Sequence, residues 1–183
     1  MSEAVVFFAD GLEECEGLLA VDILRRAGAV IRTVSISDSL TVTSSHNVAV
    51  QCDALAADVD FSAVDMIILP GGIPGTYKLA ESKIVRKTVL DFNESGKKIA
   101  AVCAAPYVLA EFGILDGRRA ICHKKFRDKM GGAILVEKEV VVDGNITTAW
   151  GLGASIPFSL ELARQLMGEE AAEHVRAGID YIH

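Results

Sequence analysis

The sequence predicts an α/β fold in which a mostly parallel sheet is covered by helices on both faces. Two observations carry this. Short, β-rich apolar runs alternate along the chain with longer stretches whose apolar residues recur at helical spacing. No internal repeat, low-complexity linker or shift in composition interrupts the alternation. Strands that alternate with helices build parallel sheets, and such sheets gather ligands at the C-terminal ends of their strands.

Taken in order, Ala4 to Ala9 is a short apolar strand. From Glu14 to Ala27 apolar residues repeat at Leu18, Leu19, Val21, Ile23 and Leu24 until Gly28, the pattern of a helix closed by a glycine. Val30 to Ile36 is a second strand, and Leu40 to Thr43 with Val48 to Val50 form a small hairpin joined by Ser44-Ser-His-Asn47. Asp65 to Leu69 is a buried strand that runs into Pro70-Gly71-Gly72-Ile73-Pro74-Gly75, and Ser82 caps an amphipathic helix reaching about Phe92. Ile99 to Val102 is a buried strand that stops at Cys103. The run Ala104-Ala105-Pro106-Tyr107-Val108 then turns helical, because proline fits only a helix's first turn. Arg118 to Cys122 reads as another strand, and Glu139 to Ala149 as a hairpin turning at Asp143-Gly144. Gly151 to Ser155 leads into a helix ending at Met167, and Glu169 to Tyr181 is a last helical segment.

At 183 residues and 51% hydrophobic content, the chain is expected to be one domain spanning 1–183 with a filled core. A net charge of −7 and no basic cluster longer than His123-Lys124-Lys125 argue against nucleic acid or an anionic membrane as a partner. The first residues lack the basic flank and length of a signal peptide, and no apolar stretch is long enough to span a bilayer. The four cysteines at 15, 52, 103 and 122 supply neither a metal knuckle nor a disulfide framework, which fits a reduced, cytoplasmic compartment.

Three loops follow apolar strands and are expected to converge: Asp10 to Glu16, Pro70 to Gly75, and Cys103 itself. Cys103 lies just before a helix N-terminus, where unpaired N–H groups and the helix dipole favour a thiolate. The bland alternative is a small buried hydrophobe ending a core strand. In Glu13-Glu14-Cys15-Glu16, any acid serves equally to charge a helix's first turn, and composition does not choose among them. One leaning toward the thiol would have its pKa raised and serve as general acid or base. Gly71-Gly72 lets backbone N–H groups approach a ligand, or is an ordinary turn. It is no phosphate-binding loop, and Gly151-Leu-Gly153 is a weak dinucleotide signal. His123 is either a proton shuttle for the thiol or polar surface. His46 sits in a turn, and His174 and His183 show no partner; none has metal-ligand spacing. Cys52 and Cys122 read as core thiols, while the loop of Cys15 is expected to bring a possible resolving thiol toward Cys103.

The set Asp10-Gly-x-Glu-Glu-x-Glu16, Leu69-Pro-Gly-Gly72, Ala101-Val-Cys103-Ala-Ala-Pro106 and Asp128-Lys-Met130 resembles the ThiJ/PfpI superfamily, in its parkinsonism-associated deglycase and YajL-like branches. The resemblance runs over nearly the whole chain. It implies a flavodoxin-like three-layer sandwich, usually a homodimer, with the cysteine on a strained nucleophile elbow. By motif it implies Cys103 as nucleophile, Glu16 as its carboxyl partner, the N–H groups of Gly72 and Ala104 as oxyanion donors, and His123 as the pocket histidine. The chain departs from the pattern at His46 and Trp150, where relatives carry arginine or another polar residue, and at Leu152, where they carry proline. Ala104 in place of a histidine after the cysteine sets aside the peptidase branch, and the lack of a downstream histidine-x-glutamate sets aside glutamine amidotransferases.

The resemblance implies cysteine-dependent detoxification of methylglyoxal, glyoxal or their early adducts with amines and thiols. No metal, nucleotide or organic cofactor is required. A protein of another class fits the same residues: an oxidative-stress sensor or chaperone acting through oxidation of Cys103. A structural paralogue with a vestigial site is the third reading.

Overall fold

The computed structural model describes residues 2–182; His183 lies outside them. The elements are β1 (Glu3–Phe8), α1 (Glu14–Arg26), β2 (Val30–Ser35), β3 (Thr41–Thr43), β4 (Ala49–Gln51), β5 (Ala54–Leu55), β6 (Met66–Leu69), α2 (Gly75–Glu81), α3 (Lys83–Glu94), β7 (Lys98–Val102), α4 (Pro106–Glu111), β8 (Arg119–Ala120), β9 (Ile134–Leu135), β10 (Val140–Asp143), β11 (Ile146–Ala149), α5 (Ser155–Met167) and α6 (Glu169–Gly178). Seven strands form one sheet in the order β10-β11-β7-β6-β1-β2-β5. Its pairs are parallel except β10 with β11. This is the mixed α/β sandwich that the alternation predicts.

The strand period of two sorts the buried side chains into two cores. Val5, Phe7, Ile67, Leu69, Ile99 and Ala101 face one side and meet Leu79, Val85, Val89, Phe92 and Val108 of α2, α3 and α4. Ala4, Val6, Phe8, Met66, Ile68 and Val102 face the other and meet Leu24, Phe158, Leu162 and Val175 of α1, α5 and α6. Burial on both faces is why β1, β6 and β7 are continuous apolar runs rather than alternating ones. Each wholly buried Leu, Ile or Phe contributes about 1.5–3 kcal/mol.

Local chemistry sets several boundaries. The Ser82 hydroxyl accepts the Val85 N–H at 3.4 Å and starts α3 where the cap was expected. The helix α2 before it is not in the sequence reading, because Gly75-Thr76-Tyr77-Lys78 carries no apolar period. The strand expected over Arg118 to Cys122 is corrected. Only β8 is extended, and it pairs with β9 in a separate two-stranded sheet. The Ile121 N–H donates to the side-chain hydroxyl of Thr148 on β11 at 3.0 Å instead of to a backbone carbonyl. The last helix ends at Gly178 rather than Tyr181. Among the described residues, no helix is long and apolar enough to cross a membrane.

Candidate active site

Sheet order creates the site. Because β7, β6 and β1 are neighbours and β11 lies on the far side of β7, the residues following each strand emerge side by side. These are Cys103 after β7, Gly71 and Gly72 after β6, the loop to Glu16 after β1, and Trp150 to Gly153 after β11.

Cys103 has φ of +64°, a left-handed conformation in which an L-residue with a side chain is strained by about 1–3 kcal/mol. Its backbone is held on both sides: its N–H donates to Ala149 O at 3.0 Å, and its carbonyl accepts the His123 N–H at 2.7 Å. The Ala105 N–H turns back to Val102 O at 3.0 Å. The strained elbow is therefore over-determined by its surroundings.

Glu16 reaches the sulfur because α1 lies tight against β1. A Cβ at Gly17 would come within 2.7 Å of Phe8 Cε1, so only glycine permits that approach. The preceding Glu13 caps α1, its carboxylate accepting the Glu16 N–H at 2.7 Å. Glu14 turns outward to His46, 3.1 Å away. Helical geometry thus separates three acids that composition leaves equivalent. Glu16 is wholly buried; Oε2 accepts the Gly71 N–H at 2.9 Å, and Oε1 has no hydrogen-bond partner among the described residues.

Burial pushes the Glu16 carboxyl up from 4.5 to about 7, against the lowering effects of Cys103 and the Gly71 N–H. The Cys103 thiol is also held well above its ordinary value, first by burial and then by the charge and hydrogen bond of Glu16; only the Ala104 N–H pulls it down. This corrects the expectation of a standing thiolate. The helix α4 has 6 residues and starts at Pro106, too short and too far along to offset desolvation. Burial thus disfavours a charge on either member of the pair, the carboxyl as well as the thiol.

His123 lies beside the elbow, its Nδ1 accepting the Lys125 N–H at 3.3 Å, which assigns a neutral ring's proton to Nε2. Its pKa is lowered by partial burial and by Lys125 and Lys124, so the ring is neutral at physiological pH. Gly72 is one residue beyond the contact that matters most. A Cβ at Gly71 would sit 2.7 Å from Glu16 Oε2 and 2.8 Å from Cys103 Cβ, whereas one at Gly72 would strike the backbone of Leu12 and Glu13. Among the described residues, no carbonyl or side chain accepts the Gly72 N–H.

Cys103, Glu16 and His123 line one cleft of about 490 Å³, together with Glu13, Cys122, Lys124, Arg127, Trp150, Gly151, Leu152 and Gly153. Sequence does not single out Arg127, and it marks Cys122 only as a core thiol and Leu152 only as standing in place of a proline, not as parts of this wall. Their loops meet only through the fold. Cys15 is exposed on the first turn of α1 and does not line the cleft, which corrects its expected approach to Cys103. Cys52 and Cys122 are buried, and burial raises each thiol to about 11. The ligand atoms of Glu13, Glu14 and His46 lie within 4.8 Å of one another at the exposed hairpin, the one three-residue grouping of metal-ligand type among the described residues. Glu14 and His46 are already bonded to each other there.

The description DJ-1/PfpI family matches residues 2–165 of the chain. The chain is 36% identical over 169 residues to Protein DJ-1 homolog B of Arabidopsis thaliana, covering 91% of this chain and 39% of that one. It therefore spans less than half the length of that plant relative. It is 32% identical over 171 residues to the glutathione-independent glyoxalase DJR-1.2 of Caenorhabditis elegans, covering 92% of this chain and 90% of that one. The solved structure of oxidized Toxoplasma gondii DJ-1 superposes with a TM-score of 0.96 at 33% identity, covering 100% of each chain.

Proposed function

The chain belongs to the DJ-1/PfpI family, and from that premise we propose that it is a cofactor-independent cysteine enzyme that detoxifies reactive dicarbonyls. Its substrates are methylglyoxal, glyoxal or their early adducts with amines and thiols, so that it acts as a glyoxalase or deglycase. The observation that carries this reading is the wholly buried Glu16, bonded to the Gly71 N–H beside a cysteine at φ +64° on the floor of a cleft.

Ionised Glu16 takes the thiol proton as Cys103 sulfur bonds the aldehyde carbon. The oxyanion formed is met by backbone N–H groups at Ala104 and Gly72. Glu16 passes the thiol proton on to the neighbouring carbonyl oxygen, and the carboxylate so regenerated takes the hydrogen of the former aldehyde carbon as a proton and, with His123 assisting, delivers it to the neighbouring carbon. The aldehyde carbon is oxidised by two electrons and its neighbour reduced by two, leaving a thioester on Cys103. Water cleaves it to lactate or glycolate, with the amine or thiol freed where an adduct entered. The same reading has the chain working as a single domain, as a homodimer and in the cytoplasm, where its four free cysteines stay reduced.

Lactate formation from methylglyoxal, measured for wild type, Cys103→Ala and Glu16→Gln, tests the assignment. Both variants should lose activity, and equal rates in all three refute it.

A second reading, an oxidation sensor with chaperone-like binding, is favoured by one observation: the unpartnered Oε1 of buried Glu16 beside the sulfur. Protonated, that carboxyl donates to an oxygen of a Cys103 sulfinate. Mild peroxide that adds two oxygens selectively at Cys103, in a protein with negligible dicarbonyl turnover, decides for this reading.

A further inference from the structure

Trp150 and Leu152 flank Gly151, whose backbone abuts the reacting sulfur: a Cβ on Gly151 would stand 3.7 Å from Cys103 Sγ and 3.6 Å from His123 Cδ2. Any group bound to the sulfur therefore lies within one residue of two large apolar side chains. Both line the cleft and stay 38% and 49% exposed. Among the described residues the indole has neither a hydrogen bond nor a stacked ring.

The charges around this wall oppose an anionic substrate. Arg127 is held by Glu137 through contacts of 2.7 and 2.9 Å. The carboxyls of Glu13 and Glu16 face the same space, and among the described residues Lys124 is the cleft's one cation without an ion pair. The volume, about 490 Å³, falls within the range of about 300–1,000 Å³ that encloses drug-sized ligands, far above the need of a three-carbon dicarbonyl.

We propose that Trp150 and Leu152 form a subsite for a neutral aryl or alkyl substituent, with Trp150 as the specificity-determining residue. The preferred substrates are 2-oxoaldehydes larger than methylglyoxal that carry an uncharged apolar group. This rests on the dicarbonyl reading above and names the class of substrate at that site. For phenylglyoxal the balance is complete without an added oxidant. Sulfur bonds the aldehyde carbon as the thiol proton passes through Glu16 to the ketone oxygen, the hydrogen on the aldehyde carbon moves as a proton to the ketone carbon, and oxidation of the one carbon matches reduction of the other. Water then breaks the carbon–sulfur bond to give mandelate and the thiol. An aromatic ring against the indole gains offset or edge contacts that methylglyoxal lacks, and an apolar pocket discriminates by about tenfold or more on such a group.

The test compares kcat/KM for methylglyoxal and phenylglyoxal, read as lactate and mandelate, in wild type, Trp150→Ala and Trp150→Phe. Wild type should favour phenylglyoxal by about tenfold. The alanine variant should lose that preference through a raised KM for phenylglyoxal, and the phenylalanine variant should retain it. An unchanged ratio in Trp150→Ala overturns the proposal. Alkylation of Cys103 by iodoacetamide and by 2-iodoacetanilide gives a second reading that needs no turnover. If wild type turns over neither dicarbonyl, the enzymatic assignment fails and this arm alone decides. A preference for the anilide that disappears in Trp150→Ala upholds the subsite, and equal rates in both proteins overturn it. The chain has a single tryptophan, so its emission confirms that the indole of the phenylalanine variant is the one removed.

Discussion

The Gly71 N–H donates to Glu16 Oε2 at 2.9 Å and ties the acid of α1 to the loop after β6, beside the sulfur after β7. One oxygen of a buried carboxyl is thereby fixed while the other is left without a partner among the described residues. Such a group is placed to take a proton from Cys103 rather than to stabilise a standing thiolate.

Alkylation of Cys103 should therefore rise as pH passes through about 7, where Glu16 ionises. In Glu16→Gln the rise should vanish, and the rate above neutrality should drop by about a hundredfold. Mass spectrometry of iodoacetamide-treated protein across pH reads both. A midpoint in the ordinary thiol range, unchanged by the substitution, removes Glu16 from its role.

The same carboxyl sets a stability trend. Unfolded, Glu16 titrates near 4.5, and folded, near 7. Between these values the folded chain keeps a proton that the unfolded chain has lost. Its contribution is thus fully present below 4.5 and is lost as pH rises through about 7, by at most about 3 kcal/mol. Urea unfolding of wild type and Glu16→Gln should show the stability gap shifting toward the variant over this window. A gap that does not move with pH contradicts the raised carboxyl.

How far the sequence reveals this arrangement depends on where each signal resides. Ser82 capping α3, the Asp143-Gly144 turn and the apolar run before Cys103 are local, and they read correctly. Ile121 and Cys122 look like strand because they are wholly buried, yet the Ile121 N–H goes to the Thr148 side chain. The choice among Glu13, Glu14 and Glu16 required the cap and the inward turn of α1, which Gly17 allows by fitting under Phe8. The thiol's upward shift follows from burial, which the apolar run before Cys103 allows, and from the Glu16 carboxyl, which only the fold brings beside it. The cleft walls at Arg127, Trp150 and Leu152 meet only in three dimensions.

Gly71→Ala should separate structure from chemistry at the carboxyl. The added Cβ would stand 2.7 Å from Glu16 Oε2 and 2.8 Å from Cys103 Cβ, so the acid and the sulfur must part. A displacement of about 1 Å at reacting groups costs on the order of a hundredfold in rate. Circular dichroism should show the fold retained while dicarbonyl turnover falls by about that factor. Full activity in a folded variant would mean that the Glu16 position is not needed.

Two substitutions at the nucleophile should differ in stability although both remove the sulfur. Cys103→Ala keeps a Cβ at φ +64°, where a side chain meets the following carbonyl. Cys103→Gly removes that clash, but glycine also loses more freedom on folding. The strain released, about 1–3 kcal/mol, exceeds the entropy lost, about 0.5–1 kcal/mol. The glycine variant should therefore be the more stable of the two, by about 1 kcal/mol. Thermal and urea unfolding of both variants measure the difference, and neither should turn over dicarbonyls. An alanine variant as stable as the glycine one would show that the elbow stores no strain, and that its backbone bonds to Ala149 and His123 alone hold the bend.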